Sequence, residues 1–201
     1  MVAIIDYDAG NIKSVENAVR FLGHEVKVTA DAGEILSADH IILPGVGAFG
    51  DAMQRLRAAN LEGTIRQAVE DGKPFLGICL GLQLIFEESE ESPGVKGLAL
   101  LPGRIKRIPD GDGRKVPQIG WNDLSFPRQS RLFEGVPEGS YVYFVHSYYL
   151  EAGDPADVAA RTEYGVRIDA AVEHGNLFAC QFHPEKSERI GMQILRNFLE
   201  I

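Results

Sequence analysis

Pro74-Phe75-Leu76-Gly77-Ile78-Cys79-Leu80-Gly81-Leu82-Gln83 is the stretch on which the fold of this 201-residue chain turns. Pro74 to Cys79 is an apolar run of strand length, and Leu80 to Glu88 continues it with helical character. Glycines two residues to either side of Cys79 permit a tight strand-to-helix turn, where a Cβ would strike neighbouring backbone. The same alternation recurs upstream. Val2 to Ile5 reads as a buried strand ended by the turn Asp6 to Asn11. Residues 12–22 carry Ile12, Val15, Val19 and Leu22 at helical spacing, and Gly23 stops them. Glu25 to Thr29 and His40 to Leu43 are further strands, and a helix through Ala52 to Asp71 breaks near Asn60 to Gly63. Alternation of this kind implies parallel strands with helical crossovers. The expected fold class is α/β: an open, mixed but mostly parallel sheet flanked by helices.

The second half changes character. Gly, Pro and β-branched or aromatic residues dominate from 93 to 182, with strand candidates near 103–108, 141–150, 157–162, 170–174 and 177–182. They predict antiparallel strands added to the same sheet, and a helix over Ser187 to Leu199 closes the chain. No repeat or low-complexity linker intervenes, so one domain over residues 1–201 is expected.

The formal charge of −9 argues against nucleic acid or an anionic membrane as partner, since both want a basic face. No run approaches the ~20 apolar residues of a spanning helix. The N-terminus reads as a first strand and not as a targeting segment, which predicts a cytoplasmic protein. In a reducing compartment Cys79 and Cys180 are not expected to pair, so each needs its own explanation. No C-x-x-C, H-E-x-x-H or P-loop occurs, so neither a metal nor another cofactor is expected.

The turn after Pro74 to Cys79 would lift the thiol out of the sheet at the start of a helix. Backbone N–H groups there favour a thiolate and can hold an oxyanion. The plainer reading is that Cys79 is a small buried hydrophobe. Phe182-His183-Pro184-Glu185 follows the strand Leu177 to Gln181. In an extended segment His183 and Glu185 point to one side, and a carboxylate beside an imidazole fixes its tautomer and steadies the imidazolium. By itself His-Pro-Glu is an ordinary polar loop. Both motifs nevertheless end at the carboxyl edges of strands, where open α/β sheets build their sites. Pro44-Gly45-Val46-Gly47 also follows an apolar strand and could bring backbone close to a ligand, or be a simple turn. Gln83 lies one helical turn after Cys79 and could share its face. Cys180 reads as core, the acidic run Glu87 to Glu91 as a solvated helix end, and His174 as exposed. Trp121 and the aromatics Tyr141, Tyr143, Phe144, Tyr148 and Tyr149 would ordinarily be core, and those facing outward could anchor a partner.

Gly-Ile-Cys-Leu-Gly-Leu-Gln at 77–83 together with Gln-Phe-His-Pro-Glu at 181–185 resembles the class I (triad) glutamine amidotransferases. Four further stretches are similar to one branch of that family, the glutaminase subunits of imidazole glycerol phosphate synthase. They are Asp-Tyr-Asp-Ala-Gly-Asn at 6–11, Leu-Pro-Gly-Val-Gly-Ala-Phe at 43–49, Gly-Trp-Asn at 120–122 and Tyr-Phe-Val-His-Ser-Tyr at 143–148. The resemblance implies that Cys79 attacks the side-chain amide of glutamine, His183 moves the protons and Glu185 orients it. It implies oxyanion donors at Leu80 and Val46, the latter after a peptide rearrangement. Glutamine would be held by Gln83 with Gly45, Gly47, His146 and Ser147. Ammonia would pass to a separate (β/α)8-barrel cyclase, forming a heterodimer, with Asn11 and Trp121 towards that partner. Asp8-Ala9 departs from the Gly common in the family's first turn. The glutaminase of pyridoxal phosphate synthase shares triad and size, but its Gly-Gly-Glu-Ser type loop is not found here. A free-standing thiol hydrolase would use the same three residues, whereas a non-catalytic binding module would require none of them.

Overall fold

A computed structural model describes residues 1–8, 11–111 and 113–201. Its first half follows the alternation of the sequence. β1 (Val2–Ile5) leads to α1 (Ile12–Phe21), which buries Val15, Ala18 and Val19 on one stripe. β2 (Val26–Thr29) leads to α2 (Ala32–Ser37), a short helix capped by the Asp31 side chain, which accepts the Glu34 N–H at 2.9 Å. β3 (His40–Gly45) is followed by α3 (Phe49–Ala58) and α4 (Leu61–Glu70), and the break between them falls at Asn60, in the left-handed conformation with φ of 55°. β4 (Phe75–Cys79) runs directly into α5 (Leu80–Leu84), which is shorter than the stretch to Glu88 read as helical; Glu88–Ser89 is instead a two-residue strand, β5.

The remaining elements are β6 (Gly103–Arg107), β7 (Gln118–Asp123), β8 (Tyr141–His146), β9 (Tyr148–Ala152), β10 (Val158–Glu163), β11 (Arg167–His174), β12 (Leu177–Cys180) and α6 (Glu188–Leu199). The central sheet has the order β10-β11-β12-β4-β3-β1-β2. Its parallel strands alternate between two apolar layers. Val2, Ile4, Leu76 and Ile78 face one layer, with Val15, Val19 and Phe198; Ala3, Ile5, Leu43 and Phe75 face the other, with Met53, Leu56 and Ile65. Burial on both faces is why these strands read as continuous apolar runs.

Among the described residues only β10 and β11 extend this sheet in antiparallel fashion, which corrects the expectation for the second half. β5, β6 and β9 form a separate three-stranded sheet, and β7 and β8 a two-stranded ribbon. The run 141–150 therefore divides between two sheets. Its inward phase explains the division: Val142, Phe144 and His146 are buried on alternate positions, then Tyr149 and Leu150 in succession. A period-two strand cannot absorb that slip, and the chain re-pairs beyond Ser147.

β4 lies between β3 and β12, parallel to both, with Gly45 opposite Cys79 and Cys180 opposite Ile78. The carboxyl ends of three strands therefore meet, and β12 stops at Cys180, leaving Gln181 to His183 free to turn over that edge.

Candidate active site

Cys79 ends β4 and caps α5 with φ of 56° and ψ of −108°. That left-handed backbone, unusual for a residue with a Cβ, stores on the order of 1–3 kcal/mol. The turn requires the glycines around it. A Cβ on Gly81 would come within 1.9 Å of the Leu43 carbonyl oxygen, and one on Gly77 within 2.7 Å of the Gly81 carbonyl oxygen. Leu80, first residue of α5, presents an N–H with no acceptor inside the helix.

His183 continues extended from β12 and donates its backbone N–H to Tyr143 O of the ribbon at 2.9 Å. Ser187 fastens the same junction: its hydroxyl donates to His183 O at 2.7 Å and accepts the Tyr143 N–H at 2.9 Å. One turn of 3-10 helix, Pro184–Lys186, folds Glu185 back so that Oε1 lies 2.9 Å from His183 Nδ1. The Glu185 side chain is 1% exposed, so this ion pair is shielded from water. With Nδ1 engaged, the other edge of the ring is left to serve Cys79, which lines the same cavity. Burial pulls the His183 pKa down, but its interactions with Cys79 and Glu185 outweigh it and carry the value up to about 9.

Cys79, His183, Val46, Gly47, Leu80, Gln83, His146 and Ser147 line one cavity of about 310 Å³. Of the residues expected at the site, Gly45 stands back from the wall, buried against Tyr7 and Leu80. The Tyr7 hydroxyl donates to the Pro44 carbonyl at 2.9 Å, tying down the loop on the side away from β4, and burial pushes its pKa far up. Val46 is 43% exposed at the cavity mouth, and Gly47 has φ of 100°.

Asn11 and Trp121 do not line this cavity. Asn11 precedes α1 and accepts from the Ser14 hydroxyl at 3.1 Å. In the turn between β1 and α1 Asp8 pairs with Arg55 at 2.6 Å, while Ala9 and Gly10 lie outside the described residues. Trp121 is 47% exposed on β7 and meets Tyr143 edge to face at 6.0 Å.

His146 is a support of the site's backbone. Nδ1 lies 2.8 Å from Tyr148 O, and Nε2 lies 2.9 Å from the Gln118 side-chain amide. Burial lowers its pKa to about 4, against a smaller opposing effect of the Tyr148 hydrogen bond. The Gln118 atom at Nε2 is Oε1; a neutral ring that donates Nδ1–H to Tyr148 has only a lone pair there, so this contact becomes a hydrogen bond when the amide turns its NH2 group to the ring. The unfolded chain binds this proton near pH 6.5 and the folded chain only near 4, so His146 makes the fold lose stability as pH falls through that window. The melting temperature of the native protein should drop more steeply between pH 6.5 and 4 than that of His146→Gln.

A family model for the class I glutamine amidotransferases matches residues 3–201. The chain is a class I glutamine amidotransferase. Curated relatives include the imidazole glycerol phosphate synthase subunit HisH of Methanothermobacter thermautotrophicus, 54% identical, with 100% of this chain and 98% of the relative covered. The subunit of the same name from Moorella thermoacetica is 52% identical, covering 100% of this chain and 94% of its own. Among solved structures, a glutamine amidotransferase superposes with a TM-score of 0.78 at 24% identity, covering 100% of this chain and 98% of its own. PurLQS from Thermotoga maritima gives 0.75, also at 24% identity, with 99% and 97% covered. At that identity the likeness is one of fold.

The structure also brings in residues the sequence reading passed over. Glu91 lines the amidotransferase cavity, and its carboxylate accepts the Phe49 N–H at 2.8 Å, pinning the start of α3 behind Val46 and Gly47. The run Glu87 to Glu91 is thus no mere solvated helix end: Glu87 accepts from Gly103 N–H at 3.0 Å and Glu90 from Arg107 N–H at 2.8 Å. Lys186 stands on the same cavity wall. Gln181 is fully buried with its Nε2 3.7 Å from Cys79 Sγ. Cys180 is core as expected, with burial raising its thiol pKa. Among the described residues, no group of three or more His, Cys, Asp or Glu could hold a metal ion. A wider groove of about 770 Å³ beside Phe126 and Phe133 shares no residue with the Cys79 cavity. Its Arg128 and Arg131 are held by Glu173 and backbone carbonyls.

Proposed function

We propose that this chain is the glutaminase subunit of an imidazole glycerol phosphate synthase, a single domain over residues 1–201 working in the cytoplasm with a barrel cyclase. The observation that carries the chemistry is that Cys79 and His183 line one cavity, with the Glu185 carboxylate behind the imidazole at 2.9 Å. The Cys79 thiol gives its proton to His183 Nε2, and the sulfur attacks the side-chain carbonyl carbon of glutamine. The oxyanion forms beside Leu80 N–H, with Val46 N–H as second donor. As the C–N bond breaks, His183 returns the proton to the departing nitrogen, releasing ammonia and leaving a γ-glutamyl thioester. Water, deprotonated by His183, then attacks the thioester; glutamate leaves and the thiol is restored. Glu91 and Lys186 give the cavity one negative and one positive group, matching the ammonium and carboxylate of an amino-acid substrate.

The outer face of the ribbon supports docking of a cyclase subunit. Ile119, Trp121 and Tyr141 are 63%, 47% and 58% exposed, an apolar surface of the kind that marks contact sites. Val145 belongs to the same β8 face, and its carbonyl lies 3.8 Å from Cys79 Sγ, so this surface leads to the nucleophile. Among the described residues, no helix is long and apolar enough to cross a membrane. Glutamate release should be slow for the chain alone and strongly stimulated by a barrel cyclase carrying its ribonucleotide ligand. Equal rates in both conditions would point to an autonomous hydrolase.

A further inference from the structure

A chain of buried amides runs from the backbone of β9 to the nucleophile, and its direction can be assigned. Gln83 Nε2 lies 3.1 Å from Tyr148 O and 3.1 Å from Gln181 Oε1; Gln181 Nε2 lies 3.7 Å from Cys79 Sγ. A carbonyl oxygen cannot donate, so Tyr148 O forces the NH2 end of Gln83 towards itself. Its second N–H then meets the oxygen of Gln181, which compels Gln181 to turn its own NH2 group to the sulfur. Gln181 is 0% exposed and Gln83 5%, so water does not compete for these contacts. His146 Nδ1 also donates to Tyr148 O, at 2.8 Å, securing the anchor from the other side.

We infer that Gln181 is a dedicated hydrogen-bond donor to the Cys79 sulfur that favours its thiolate over its thiol. A thiol can give its own proton to Val145 O, 3.8 Å away; a thiolate cannot, and gains instead from the N–H of Gln181. When the proton moves from Cys79 to His183 Nε2, the negative charge left on sulfur therefore meets a donor already in place. This rests on Cys79 being the nucleophile and adds a residue to the three of the motif.

The other titratable groups facing the sulfur are few. His183, backed by Glu185, comes from the segment after β12; His146 from β8, Tyr148 from β9, and Glu91 and Lys186 stand on the cavity walls. Tyr7 approaches from the turn after β1 and Cys180 from β12, both held neutral by burial. A change at Gln181 alters the charge of none of them.

The test is the pH profile of Cys79 alkylation by iodoacetamide in the folded chain, read by mass spectrometry of the peptide that contains it. In Gln181→Met the midpoint should rise by about one pH unit, as expected on removing a donor to a charged group. With the cyclase present, kcat for glutamine at pH 7 should fall about tenfold, recover above the new midpoint, and leave KM within about twofold. Gln181→Glu, nearly isosteric, carries the same test if the methionine variant does not fold, and its added negative charge should raise the midpoint further. A midpoint unchanged from wild type in the folded variant, or a loss of kcat that alkaline pH does not recover, overturns the assignment. Glutamine hydrolysis by Cys79→Ala is measured in parallel. Retained activity there would remove the nucleophile itself, a failure distinct from that of the donor.

Discussion

Cys79→Ala should lower glutamine hydrolysis by about 10⁴-fold or more while leaving the fold intact, because the reaction loses the atom that forms the thioester. No other group can take over. Cys180 is fully buried, its thiol pKa is raised by that burial, and it hydrogen-bonds Phe182 O at 3.5 Å. The measurement is glutamate formation in the presence of the cyclase, with circular dichroism confirming the fold. A residual rate within tenfold of wild type would contradict the nucleophile assignment.

The same position separates stability from function. With φ at 56°, alanine at residue 79 keeps the strained backbone and its cost, whereas glycine adopts it freely. Glycine loses more chain entropy on folding, but by less than the steric relief. Cys79→Gly should therefore be as inactive as Cys79→Ala and yet be about 1 kcal/mol more stable in urea unfolding. The strain at this turn is maintained for the placement of the sulfur.

What could be read from the sequence was what neighbouring residues settle among themselves. The spacing of Gly77, Cys79 and Gly81 describes a turn complete within five residues, and His183 and Glu185 are two apart, joined by a proline that folds one onto the other. β1, β3 and β4 were legible because each is an almost continuous apolar run. The missed features depend on distant partners. Gln181 matters because residue 79, 102 positions earlier, lies beside it, and Glu91 because Phe49, 42 positions earlier, needs an acceptor. β7 was not anticipated since Gly120-Trp121-Asn122 has the composition of a turn; its strand state comes from six register pairs with β8. α2 escaped because its six residues bury only Ile35, too little for a periodic signal.

His183→Ala should reduce kcat by about 10³- to 10⁴-fold, since one ring both receives the thiol proton and returns it to ammonia. Its environment supports that double duty. Glu185 occupies Nδ1 at 2.9 Å and fixes the tautomer, so that Nε2 is the edge left for sulfur. Cys79 and Glu185 together overcome the effect of burial and bring the imidazolium's pKa to about 9. The unfolded chain releases this proton near pH 6.5. A pKa raised on folding contributes stability that is fully present below about 6.5 and is lost as pH rises through 9. The melting temperature of the native protein should accordingly decline between these values, and that of His183→Ala should decline less. The two losses of activity should not add. Once the sulfur is gone, the base has no proton to take, so Cys79→Ala with His183→Ala should be no slower than Cys79→Ala alone. A double variant slower by a further 10³-fold would mean that the two residues act in separate steps and not as one pair.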